Sequence, residues 1–176
     1  MTQEPRFTHL RVHTEYSLLE GAVPVKKVPG LIAGMDMPAV AVTDTNNMFC
    51  ALEFSETAAK AGVQPIIGCQ VSLGYLPAEP GKRPPLPADL VLLAQNEAGY
   101  ENLMKLNSCA YLDAGGELHQ ITVDELVAHQ AGLICLTGGP DGPLGRLIAA
   151  GQMDKAEALI TALHTAFGDR LYVELQ

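Results

Sequence analysis

Several features are absent from this sequence of 176 residues, and each absence excludes a class of protein. It has no apolar run as long as a membrane-spanning helix requires, roughly 18 residues or more. Residues 1–7 lack the basic-then-apolar layout of a secretion signal. The four cysteines are far apart and form no C-x-x-C pair; they are Cys50, Cys69, Cys109 and Cys135. We therefore predict a soluble cytoplasmic protein with reduced cysteines and no disulfide bonds.

Basic residues are also scarce. Lys and Arg number 11 against 20 Asp and Glu, which gives a formal net charge of −9. A large surface for nucleic-acid phosphates would need clustered Lys and Arg, so we do not expect this chain to be a main DNA-binding face. Apolar residues make up 48% of the chain and charged residues 18%, which predicts one well-packed domain over residues 1–176.

Short strand-like runs alternate with helical runs, a pattern typical of βα units around a parallel sheet. Several runs are almost continuously apolar, as expected for strands covered on both faces. The predicted strands are Thr8–His13, Ala39–Thr43, Pro65–Leu73, Asp89–Ala94, Gly132–Thr137 and Arg170–Leu175. The last of them ends without a turn or cap, from which we expect a fragment of a longer chain.

Capping residues and glycines mark the predicted helices. One helix runs from Asn46 or Asn47 to about Ala61, and another from Asn96 to about Leu112, before Gly115. A third begins at a Thr122–Glu125 capping box, and a fourth covers Met153–Phe167. A less regular helix lies between Pro24 and Gly34. Residues 75–88 carry five prolines, which predicts an extended surface loop, with a partner-docking arm as the alternative.

The first predicted strand carries an unusual pattern of side chains. His9, Arg11 and His13 alternate with apolar residues, so an extended strand places all three on one face. Two imidazoles at this spacing suggest a metal site, but the guanidinium between them is always protonated and offers no lone pair. A fixed positive charge opposes the binding of a divalent cation nearby. We therefore predict a metal-site strand that no longer binds metal.

Five blocks of the sequence resemble a known family in the family's own order. The blocks are His9–Gly21, Met37–Phe49, Pro65–Gln70, Asp89–Asn96 and Gly132–Gly139. They are similar to the polymerase and histidinol phosphatase (PHP) domain at the start of bacterial DNA polymerase III alpha subunits. The resemblance covers about Phe7 to Gln176. It implies a distorted (β/α)7 barrel, of which this chain would carry roughly the first six βα units.

Metal-bearing members of that family hold up to three ions at the C-terminal ends of strands, and the resemblance assigns seven ligand positions to this chain. The positions are Arg11, His13, Glu20, Thr45, Gln70, Asp89 and Gly139. Only His13 and Glu20 keep groups that readily bind metal, and Asp89 could do so in principle. We therefore expect a degenerate pocket with no metal and no catalytic residues.

A cation substitute would stabilise carboxylates that have lost their metal. We expect Arg11 to supply it, paired with one or more of Glu20, Asp44 and Asp89, because a guanidinium forms strong charge-assisted hydrogen bonds with carboxylates. His119, His129 and His164 have no partners at ligand spacing, and we expect them to be surface residues.

The resemblance implies that the full-length protein is a DNA-directed DNA polymerase of replication, a nucleotidyltransferase with Mg²⁺ in a palm region outside this chain. The present module would carry no cofactor, brace the polymerase and dock the proofreading exonuclease subunit. Other holoenzyme subunits would be further partners; DNA and deoxynucleoside triphosphates would bind the remainder of the chain, and no membrane is involved. The alternatives are a metal-dependent phosphoesterase or 3′–5′ exonuclease and, from the barrel alone, a small-molecule binder.

Overall fold

A computed structural model describes residues 7–77, 85–112 and 118–175 of the chain. The chain divides into two compact units, residues 1–69 and residues 70–176. The predicted helix end at about Leu112 is confirmed, whereas Gly115 and the middle of the proline-rich run lie outside the described residues. Organisation as a single domain stays a prediction.

Helices and strands alternate along the described residues, as the α/β prediction requires. The helices are α1 (Val28–Gly34), α2 (Ala51–Lys60), α3 (Glu97–Leu112), α4 (Val123–Ala128), α5 (Pro143–Ala149) and α6 (Met153–Phe167). The strands are β1 (Ala39–Val42), β2 (Gln64–Gly74), β3 (Ala88–Ala94), β4 (Ile121–Thr122), β5 (Leu133–Leu136) and β6 (Leu171–Tyr172). None of the described helices is long and apolar enough to cross a bilayer.

The first unit is built on a parallel pair of strands, β1 with the first part of β2, in register from Ala39–Gln64 to Val42–Ile67. Side chains of β1, α1 and α2 form its core, in which Phe54 and Val40 are fully buried. The predicted strand Thr8–His13 is wrong as a continuous strand. It forms an isolated parallel bridge from His9 to Val40, and its His9 and Val12 carbonyls accept from the Ala41 and Thr43 backbone N–H groups at 2.8 Å.

Helix α2 begins at Ala51, several residues after the predicted start at Asn46 or Asn47. Asn46 has a left-handed backbone with φ 52°, which a helix cannot continue. The Asn47 side chain accepts a hydrogen bond from the Phe49 backbone N–H at 3.3 Å and so closes a turn ahead of the helix. The predicted end is confirmed, since Ala61 caps the helix.

The second unit contains an antiparallel pair that the parallel-sheet prediction does not include. The second part of β2 is parallel to β4, and β5 is parallel to β6, but β3 and β5 are antiparallel from Val91–Leu136 to Ala94–Leu133. Parallel neighbours need a long, usually helical, crossover. The connection from β3 to β5 contains α3 and α4 and would also allow a parallel pair, so the antiparallel direction is a finding of the structure.

Helix capping in the second unit follows the sequence closely. The Asn96 side chain accepts from the Gly99 N–H at 3.0 Å at the start of α3, and Thr122 and Glu125 form the predicted capping box on α4. Strand β6, Leu171–Tyr172, is shorter than the predicted strand Arg170–Leu175. The side chain of Arg170, just before it, donates to the Leu133 carbonyl at 2.6 Å and lies over the Phe167 ring.

We predict that Thr122→Ala lowers the free energy of unfolding by about 1 kcal/mol, because the first turn of α4 loses the side-chain acceptor of the Glu125 N–H. Urea unfolding followed by circular dichroism measures the change. Thr161→Ala, at an exposed position inside α6, is the matched control and should change stability by no more than about 0.5 kcal/mol. Equal effects of the two substitutions would contradict the capping assignment.

Candidate functional site

The carboxylate of Asp44 organises the loop that follows the first histidines. Asp44 lies just beyond β1 and is 1% exposed. It accepts hydrogen bonds from the Thr14 backbone N–H at 2.7 Å, the Thr14 hydroxyl at 2.7 Å and the Ser17 hydroxyl at 2.5 Å. Hydrogen bonds to an ionised acceptor are the stronger class, so Asp44 fixes the start of residues 14–21 against the core.

Two cysteines complete the surroundings of Asp44. The Cys50 thiol donates to the Asp44 carboxylate at 3.3 Å, and the Cys69 thiol to the Asp44 backbone carbonyl at 3.2 Å. Burial, followed by the negative charge of Asp44, raises the pKa of the Cys50 thiol far above its ordinary value. Cys50 therefore stays a protonated hydrogen-bond donor, and it is neither a nucleophile nor a thiolate ligand. None of the four cysteines forms a disulfide bond.

His13 and Glu20, the two positions that keep metal-binding side chains in the first unit, are hydrogen-bonded to each other. Nδ1 of His13 lies 3.0 Å from Oε2 of Glu20, and the Thr45 hydroxyl donates to the same oxygen at 2.5 Å. The His13 side chain is 18% exposed and that of Glu20 is 47% exposed. The structure thus brings His13, Glu20 and Thr45 together as a hydrogen-bonded cluster at the protein surface.

Three further positions, Gln70, Asp89 and Gly139, lie in the second unit. Gln70 is buried on β2, and Asp89, at the start of β3, accepts a hydrogen bond from the Ser72 hydroxyl at 3.2 Å. Gly139 follows β5, and the antiparallel pairing of β3 with β5 brings it to the same edge as Asp89. The preceding Gly138 packs so closely that a Cβ atom there would lie 2.0 Å from the Asp89 carbonyl oxygen. Only glycine fits at that position.

Most of the seven ligand positions carry side chains that bind a divalent metal poorly or not at all. No three His, Cys, Asp or Glu side chains meet as a metal-holding group anywhere in residues 7–77, 85–112 and 118–175. Thr45 and Gln70 are neutral oxygen donors that bind zinc or manganese poorly. The carboxylate of Asp44 is already committed to hydroxyl and amide donors. Arg11 is half-buried, and its pairing with Glu20, Asp44 or Asp89 stays a prediction.

The sequence analysis did not anticipate the roles of Thr14, Ser17 and Cys50 as donors to Asp44. Their signal in the sequence is weak, because Ser and Thr near turns usually bond the local backbone. The three predicted surface histidines are confirmed in part. His119 and His164 are exposed and His129 is half-buried, and the His119 ring lies 4.3 Å from the ring of Tyr111.

The chain matches the PHP domain family over residues 9–176 and belongs to that family. This match confirms the resemblance carried by the five sequence blocks. Together with the alternating helices and strands, it also confirms the fold class, a distorted PHP-type α/β barrel represented here by six strands.

Two relatives show how the chain compares with longer proteins. It is 48% identical over 172 residues to DNA polymerase III subunit alpha of Caulobacter vibrioides, covering 97% of this chain and 15% of the relative. It is 40% identical over 174 residues to DNA polymerase III subunit alpha of Vibrio cholerae, covering 98% and 14%. The chain therefore spans about one seventh of the length of these curated relatives.

Solved structures with low sequence identity share the fold. An amidohydrolase from Chromobacterium violaceum aligns with a TM-score of 0.53 at 16% identity, covering 94% of this chain and 84% of that one. A protein described as a metal-dependent phosphoesterase, from Bifidobacterium adolescentis, aligns with a TM-score of 0.53 at 12% identity, covering 97% and 86%. At these identities the likeness concerns the fold alone.

We predict that Asp44→Asn lowers the free energy of unfolding by about 3 kcal/mol. Asparagine carries no charge, and its NH₂ group replaces one of the two oxygens that accept hydrogen bonds from Thr14 and Ser17. Denaturant unfolding measures the loss. Asp36→Asn is the matched control: Asp36 is exposed with φ 54°, a conformation that Asn adopts readily, so its stability should change by no more than about 0.5 kcal/mol. A small effect at Asp44 would show that the carboxylate does not organise the loop.

Proposed function

We propose that this chain is the PHP module of a replicative DNA polymerase alpha subunit. The observation that carries the proposal is the 48% identity to such a subunit across 97% of the chain. The relatives are about seven times longer, so primer extension, its Mg²⁺, and the contacts with DNA and deoxynucleoside triphosphates are assigned to the remainder of the polymerase. A replication enzyme of this kind is expected in the cytoplasm.

Within that protein we assign the module a non-catalytic role. Hydrolysis of a phosphate ester in a metal-dependent site needs a metal-bound water of lowered pKa. In the first unit His13 and Glu20 bond each other, and Cys50 is held as a thiol. In the second unit Gln70 and Gly139 supply no anionic donor. Arg11 would contribute the positive charge that a bound cation would otherwise provide.

If the module is not catalytic, we expect its surface to serve mainly in contacts with other proteins. A formal net charge of −9 suits contact with proteins better than with phosphates. We therefore propose that the module braces the polymerase and docks the proofreading exonuclease subunit and further holoenzyme subunits. Electrostatic complementarity would set the specificity and association rate of such contacts more than their final affinity.

A second candidate function is a metal-dependent phosphoesterase or a 3′–5′ exonuclease in the same chain. It is favoured by the retention of His13 and Glu20 as neighbours with metal-binding groups. This second function requires His13 and Glu20 to break their hydrogen bond and to bind a metal ion, and the non-catalytic role does not.

The two functions predict different effects of His13→Ala combined with Glu20→Ala in the full-length protein. For a non-catalytic module we expect metal content well below one zinc or manganese per chain, and no change in the hydrolysis of a phosphodiester substrate or a 3′ end. Elemental analysis after mild purification and a gel-based exonuclease assay measure both, with primer extension as the control for folding. One ion per chain together with loss of hydrolysis in the double variant would establish the second function instead.

The docking role predicts that full-length polymerase lacking residues 1–176 binds the purified exonuclease subunit at least about tenfold more weakly, a loss of about 1.4 kcal/mol. Titration calorimetry measures the affinity. Retained primer extension by the truncated chain shows that its remainder is folded. Undiminished binding would remove docking from the proposed function.

A further inference from the structure

An apolar groove of about 650 Å³ lies in the second unit, between helices α5 and α6 and the extended residues 173–175. We call it the α5–α6 groove. Its lining side chains include Ile148, Met153, Val173 and Leu175. Among the described residues that line it, none is Lys, Arg or His. Apolar contact is therefore the main interaction that this groove offers.

The four named side chains are largely open to solvent. Exposed fractions are 55% for Ile148, 57% for Met153, 67% for Val173 and 90% for Leu175. Because they line one groove, their exposed apolar surface lies together and is not scattered over the molecule. Soluble proteins seldom expose several large apolar side chains together unless that surface makes a contact. The groove thus indicates a binding surface for an apolar segment.

Hydrogen bonds within the second unit fix the walls of the groove. Thr137 holds the extended wall: its backbone N–H donates to the Tyr172 carbonyl at 3.1 Å, and its hydroxyl accepts from the Glu174 N–H at 3.0 Å. Between α5 and α6, the Gly151 N–H donates to the Ile148 carbonyl at 2.9 Å in a turn where Gly151 has φ 69°. A preformed groove loses little conformational entropy when it is filled, which favours binding.

The length of the relatives and the position of Leu175 indicate what fills the groove. In the proposed polymerase subunit the PHP domain stands at the start of a chain about seven times longer, so the rest of the polymerase follows residue 176. Leu175 lines the groove and is the residue before that point. The next residues of the polymerase are therefore tethered at the groove itself. A short tether gives a segment an effective concentration on the order of millimolar, which favours it over separate proteins.

A second copy of this chain is a poorer occupant. Each copy carries a formal net charge of −9, so two copies repel each other. The described lining of the groove supplies no Lys or Arg that would offset this repulsion. The same polymerase chain is the better source of an apolar segment.

We propose that the α5–α6 groove binds the stretch of polymerase that directly follows residue 176, through apolar side chains of that stretch. The inference rests on the proposed function and deepens it, because it locates the contact by which the module braces the polymerase. Ile148, Met153, Val173 and Leu175 are the module's side of that contact.

Methionine oxidation in full-length polymerase tests whether the groove is filled. Met153 lines the groove, and Met35 on the first unit is its matched control, since the two are 57% and 56% exposed. Dilute hydrogen peroxide followed by mass spectrometry gives the oxidation rate of each, with urea-unfolded polymerase as the reference. We expect Met153 to oxidise at least about fivefold more slowly than in the unfolded chain, and Met35 within about twofold of it. A smaller slowing at Met153 would overturn the inference.

A photo-cross-linker identifies the segment in the groove. A benzophenone amino acid in place of Ile148 in full-length polymerase should cross-link to peptides of the stretch that follows residue 176. The same amino acid in place of Leu112, 82% exposed at the end of α3, is the control and should not reach that stretch. Mixing isotope-labelled and unlabelled protein separates contacts within one chain from contacts between copies. Cross-links to a second copy, or to a part of the same chain far from residue 176, would overturn the inference.

Partner proteins and the proposed function give separate outcomes. Protection of Met153 that appears only after the exonuclease subunit is added would assign the groove to that protein and overturn the inference. Primer extension by the same preparation tests the proposed function by itself. Normal extension with an unprotected Met153 removes the groove assignment alone, whereas absence of extension removes the polymerase function on which the inference rests.

Discussion

The buried carboxylate of Asp44 is the interaction on which the functional part of the first unit depends. A carboxylate that is 1% exposed would be strongly unfavourable if its oxygens lacked hydrogen-bond donors. Thr14, Ser17 and Cys50 supply those donors. In doing so they fix residues 14–21. One buried charge thus helps to position the loop that carries Glu20.

In the proposed degenerate site, other side chains are hydrogen-bonded to the carboxylates at two of the ligand positions. Removing a metal from a cluster of carboxylates and imidazoles leaves charges without partners, unless other groups take over. Here His13 and Thr45 satisfy one oxygen of Glu20, and Ser72 donates to Asp89 in the second unit. Hydroxyl donors are small and neutral, so they occupy ligand positions without adding charge.

The sequence predicted local features well where the signal lies within a few residues. The Thr122–Glu125 capping box, the bounds of Met153–Phe167 and the helix end at Ala61 follow from capping and apolar spacing alone. It failed where distant groups compete. Asn47 looks like a helix cap but closes a turn, and Thr8–His13 has strand spacing but forms only an isolated bridge, at His9. The antiparallel pairing of β3 with β5 has no local signal, because strand direction depends on how connections cross the sheet.

By itself the sequence determined the composition, the α/β alternation, the family resemblance and the presence of Arg11, Thr45, Gln70 and Gly139 at positions where the resemblance predicts metal ligands. Each of these depends only on which residue stands at which position. The tertiary structure decided which groups meet: that Asp44 binds Thr14 and Ser17, that His13 shares Glu20 with Thr45, and that Leu19 is exposed with a left-handed backbone. Hydrogen bonds between residues some 25 to 30 positions apart are selected by packing of the whole unit, and no spacing rule along the chain encodes them.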